Sequence, residues 1–74
     1  MKTKFRISKD DTIKAAIRGN GRLLAIVYDS QFTTIDEVVG RLISKVPYFS
    51  GSKVEISIRN ETKGKSKYIT KSVN

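Results

Sequence analysis

The 74-residue chain contains no cysteine and no histidine. Without cysteine there are no disulfides and no thiolate ligands, and lacking both residues it cannot build an ordinary zinc site. Nucleophile–base pairs of the Ser–His or Cys–His kind are excluded with them. Long apolar runs are missing too: no stretch approaches the roughly 20 residues of a membrane-spanning helix. The opening MKTKFRISKD lacks the apolar core of a signal peptide. These absences lead to the expectation of a cytoplasmic protein with no membrane partner, and the lack of cysteine fits a reducing compartment. There is no internal repeat, linker or low-complexity segment.

At this length only about 60% of the unfolded surface is buried on folding. One small core is expected, hence a single domain over residues 1–74 with its last few residues frayed. A deep catalytic cleft does not fit beside that core. The acidic pairs Asp10–Asp11 and Asp36–Glu37 fall in a turn and in the first turn of a helix, where carboxylates have structural work. The expectation is therefore a non-enzymatic protein with no catalytic residues, no metal, no cofactor and no small-molecule substrate. Gly19-Asn20-Gly21 lacks the remaining glycine and the Lys-Ser/Thr pair of a phosphate loop, and reads as a turn.

What the chain does have is periodicity. Thr34 followed by Glu37 forms a capping box, and Ile35, Val38, Val39, Leu42, Ile43 and Val46 recur at helical spacing. Pro47, the single proline, removes the donor that would continue the helix. The spacing predicts an amphipathic helix over about 34–46. A helix this short is not stable alone and needs an apolar sheet to lie on.

Residues 2–8, KTKFRIS, alternate as a strand with Thr3, Phe5 and Ile7 inward and Lys2, Lys4 and Arg6 outward. Residues 9–11 supply turn chemistry. Residues 11–18 fit a helical face as well as a strand, but Asn20-Gly21 is the strongest short hairpin signal and favours a strand. A two-residue loop sets Arg18 opposite Leu23, Ile17 opposite Leu24, Ala15 opposite Ile26 and Ile13 opposite Tyr28. Uninterrupted alternation then puts Leu24, Ile26 and Tyr28 inside and Leu23, Ala25 and Val27 outside. Phe32 is expected to pack where the helix begins, and Tyr48 and Phe49 to plug the end of the core. Residues 53–59, KVEISIR, are a clear alternating strand; 60–66 form a basic loop; 67–73 return as a strand of undetermined register. The fold class is α+β: a small, mostly antiparallel sheet in the chain order β-β-β-α-β-β with one helix on one face. A crossover from the third strand through the helix leaves room for one parallel pair; strand order stays open.

The net charge of +8 is unevenly spread: residues 1–22 carry seven cations and two anions, 23–52 two and three, 53–74 six and two. Both ends are basic, which favours polyanions. The main expectation is a small accessory or regulatory protein contacting nucleic acid through its phosphate backbone, with Lys2, Lys4, Arg6, Lys14 and Arg18 as a stripe and Lys63, Lys65 and Lys67 assisting. Cations two residues apart on a strand repeat at about 6.5–7 Å, comparable to successive phosphates. Five such contacts predict a log–log salt slope near about −4.5 on duplex DNA. In this register no aromatic shares the basic face, which argues against a base-stacking platform. The same lysines also serve simply to keep strand edges from aggregating. The competing expectation is a protein-interaction or self-associating module, a homodimer included, that uses the outer cluster Leu23, Ala25 and Val27.

Overall fold

The computed structural model describes residues 5–72. It contains four strands, β1 (Ile13–Gly19), β2 (Arg22–Asp29), β3 (Lys53–Asn60) and β4 (Lys65–Ser72), and one helix, α1 (Ile35–Ser44), between β2 and β3. The strands form one antiparallel sheet in the order β2-β1-β3-β4. This is the expected α+β class, a small antiparallel sheet with one packed helix.

α1 begins at the capping box. Glu37 Oε1 accepts the Thr34 N–H at 3.0 Å while Thr34 Oγ1 accepts the Glu37 N–H at 3.3 Å. The Thr33 N–H and hydroxyl donate to the same carboxylate oxygen, so Glu37 ionises below its ordinary value of 4.5, chiefly through Thr33. The helix closes at Lys45, whose N–H returns to the Leu42 and Ile43 carbonyls, two residues before Pro47. Its buried side chains Val38, Val39 and Leu42 lie on the expected stripe, and α1 crosses β1 and β2. Phe32 is buried beneath the helix start, with the Arg41 guanidinium 5.1 Å above its ring.

The inner sheet face presents Ile13, Ala15 and Ile17 from β1, Val27 from β2, and Val54, Ile56 and Ile58 from β3, all buried. Phe49 fills the end of this core, in a slot that exists because Gly19 and Gly51 have no side chain; a Cβ on Gly19 would stand 2.5 Å from Phe49 Cζ. Ile69 on β4 is opposite Ile56 and packs on the core edge, which sets the register left open by sequence and turns Tyr68 outward opposite Ser57.

Three expectations are corrected. Residues 5–8 form no strand, and residues 2–4 lie outside the described residues. Phe5 and Ile7 do pack against the core, so the alternation is that of an extended segment docked on it rather than of a hydrogen-bonded strand. The second neighbour of β1 in the sheet is β3. Second, among the described residues no strands pair in parallel: β2 and β3 run the same way but β1 stands between them. Third, the hairpin register changes partway. Asn20 and Gly21 adopt φ of 55° and 76°, the positive values a tight two-residue turn requires, and Arg18 faces Leu23 as expected. Ile17 then faces Ala25 rather than Leu24. Leu24 is the extra residue of a β-bulge, and beyond it every side chain changes face.

Candidate interaction surface on the open sheet face

The bulge decides what the uncovered face displays. Residues in register across antiparallel strands share a face, so this surface has rows of Tyr28, Lys14, Arg59 and Ser66, then Ile26, Ala16, Ser57 and Tyr68, then Leu23, Arg18, Glu55 and Thr70. Tyr68 is 81% exposed, Tyr28 65%, Leu23 52% and Ile26 49%. Of the expected apolar cluster, only Leu23 is here. Val27 is buried and Ala25 packs against the core, because the bulge turns both toward the helix; Ile26 and Tyr28 take their places. Two shallow depressions flank Tyr68, one bordered by Arg18, Glu55 and Thr70, the other by Lys14, Ile26 and Arg59.

The expected basic residues do not form one stripe. Lys14 and Arg18 share the open face, joined by Arg59. Lys2 and Lys4 lie outside the described residues. Arg6 is exposed on the N-terminal segment, off the sheet, where its carbonyl accepts from Asn60 Nδ2 at 3.0 Å. Lys65 and Lys67 are in register with Asn60 and Ile58, which puts them on the helix side at the β4 edge. Lys63 is engaged internally, 2.9 Å from Asp11 Oδ2 and 3.1 Å from Ser8 Oγ.

That last contact belongs to a buried polar cluster which sequence reasoning missed. Asp11 and Asn60 are both buried. Asp11 Oδ2 accepts from Asn60 Nδ2 at 2.8 Å, from the Ser8 N–H at 3.0 Å and from the Lys63 ammonium. Asn60 Oδ1 accepts the Lys63 N–H at 3.0 Å. The Asn60 amide and then Lys63, with a lesser part from the Ser8 N–H, hold the Asp11 carboxyl below its ordinary value of 3.8, against an opposing effect of burial. The cluster ties the N-terminal segment to the β3–β4 loop and has a structural role. Its two halves, Ser8 with Asp11 and Asn60 with Lys63, are 49 to 55 residues apart in sequence; spacing carried no signal for it.

On the open face the cations are partly neutralised: Arg59 Nε donates to Glu61 at 2.6 Å, and Arg18 stands opposite Glu55. Among the described residues no group of three or more His, Cys, Asp or Glu is placed to hold a metal ion. No described helix is long and apolar enough to cross a membrane. No family model matches the chain, and neither a curated protein nor a solved structure is significantly similar to it.

Proposed function

We propose that this chain is a non-enzymatic interaction module that receives a protein partner on its open sheet face. The carrying observation is the cluster Leu23, Ile26, Tyr28 and Tyr68, large apolar and aromatic side chains held exposed on one face of a four-stranded sheet. A small domain gains nothing in its own stability from such a patch, and patches of this kind rimmed by polar groups are where partners dock. Tyrosine suits that role, since it brings a large contact area with few rotatable bonds and a hydroxyl that tolerates water.

A second reading, nucleic-acid binding, is favoured by one observation: Tyr28 and Tyr68 share their face with Lys14, Arg18 and Arg59. That arrangement suits stacked bases of a single strand better than duplex backbone contact. Three phosphate contacts correspond to a salt slope of only about −2 on a single strand. The ion pair of Arg59 with Glu61, and Glu55 in register with Arg18, put this reading second.

A photo-crosslinking side chain at position 68, with position 48 as control, tests both. Tyr48 is 70% exposed but lies beyond the helix, off the face. A discrete protein adduct at 68 and not at 48 is the expected result. An adduct removed by nuclease would instead support the second reading, and equal labelling at both positions would refute both.

A further inference from the structure

The two edges of the sheet are chemically unlike. β4 carries Lys65, Lys67 and Lys71 along its eight residues, the usual guard against a second strand. β2 carries six consecutive apolar residues, Leu23 to Tyr28, with no lysine, proline or glycine among them. Among the described residues, no backbone hydrogen bond outside the ladder with β1 involves this strand. An exposed edge of that composition is a template for pairing.

We propose that β2 pairs antiparallel with β2 of a second copy of this chain, giving a two-fold dimer with one continuous eight-stranded sheet. The strand is complementary to itself. A two-fold axis normal to the sheet and beside Ile26 sets Ile26 opposite its own copy. Moving one way along the strand gives Val27, Tyr28 and Asp29. Moving the other way, Leu24 and Ala25 count as a single position, as they do against β1, and Leu23 and Arg22 follow. Tyr28 therefore meets Leu23 of the second copy, and Asp29 meets Arg22.

Faces and charges both agree. Leu23, Ile26 and Tyr28 all project from the open face, while Arg22 and Asp29, in register with Gly19 and Ile13, are both on the helix side. Among the described residues, three of the five large exposed apolar side chains belong to this strand. Its single cation and single anion are at opposite ends, so antiparallel pairing joins unlike charges twice despite a net charge of +8 per chain. Asp29, already 3.4 Å from Arg41, would gain a second guanidinium. Face-to-face packing of two copies would instead bring Lys14, Arg18 and Arg59 against like charges, a worse arrangement. The inference is independent of what docks on the open face.

The test is sedimentation equilibrium and native mass spectrometry on the full chain, with circular dichroism as a check of folding. The wild-type chain is expected to dimerise, and Ile26→Lys, which sets two ammonium groups together at the axis, to raise the dimer Kd at least about tenfold. Arg22→Asp and Asp29→Arg should each weaken the dimer, and the double exchange should recover it. Tyr68→Ser, on the far strand, should leave the dimer unchanged while reducing partner capture by the open face, so the two surfaces fail separately. A wild-type chain still monomeric at about 1 mM, a dimer indifferent to Ile26→Lys, or a charge exchange without recovery would overturn the proposal.

Discussion

Replacing two adjacent residues, Ile26 and Val27, each with threonine distinguishes the bulged register from the regular one, and with it the composition of the open face. Threonine keeps the β-branched shape, so strand preference is nearly unchanged. Val27 is 4% exposed. Threonine there exchanges a buried methyl for a hydroxyl, losing about 0.8 kcal/mol of burial and adding about 1–3 kcal/mol for a polar group without a designed partner. A cost of about 2–4 kcal/mol is expected. Ile26 is 49% exposed, so threonine there forfeits part of a half-buried side chain, about 1 kcal/mol or less. A domain of this size has a total stability of about 4–11 kcal/mol, and its unfolding entropy converts 1 kcal/mol into about 6 °C of Tm. Thermal melts in dilute solution, where association contributes little, should place Val27→Thr roughly 12–24 °C below wild type and Ile26→Thr within about 6 °C of it. The reverse order would mean that Ile26 is the inward residue, and the surface built from Leu23, Ile26, Tyr28 and Tyr68 would be dismantled with it.

Two glycines give opposite outcomes. Gly19→Ala forces its Cβ into Phe49 and should destabilise by about 1–3 kcal/mol, whereas Gly40→Ala, in a helix with nothing within 4 Å, should stabilise by about 1 kcal/mol; denaturant titration checks both. Asp11 ionises below 3.8 when folded, so its contribution is complete above that unfolded value and is lost as pH falls through the lower folded one. Asp11→Asn should therefore lower stability at neutral pH and flatten the loss in acid. Some acid sensitivity should persist through Glu37, whose carboxyl ionises below 4.5. Melts recorded from neutral to strongly acidic pH read the difference.

The parts legible in the sequence were those set by neighbours along the chain. Thr34 with Glu37 and the aliphatic stripe behind them located α1, and Asn20-Gly21 located the turn, because three or four adjacent residues determine each. The bulge was not legible: Leu23, Leu24 and Ala25 are all apolar, so no polar residue marks where alternation slips. One inserted residue exchanged Ile26 and Tyr28 for Ala25 and Val27 on the open face. It also reversed an inference about function, since the regular register separates tyrosine from the basic face and the observed one joins them. Residues 5–8 were misjudged because alternation reports burial on one side and says nothing of hydrogen-bond partners.

The contrast between the edges also bears on why pairing through β2 would stop at two chains. An assembly that joins unlike surfaces can extend without limit, whereas one that joins a surface to its own copy consumes it. Pairing β2 with β2 uses the apolar edge of both chains, and each end of the resulting sheet is then a β4 strand bearing Lys65, Lys67 and Lys71. Two such edges meeting would set ammonium groups against one another, which opposes further addition. The basic residues of the C-terminal segment thereby acquire a role that needs no polyanion: they keep a closed dimer closed. Replacing all three lysines with threonine should leave β2 pairing intact and permit growth beyond the dimer. Light scattering at rising concentration would detect that growth, and a triple variant that remains dimeric would remove the lysines from the explanation.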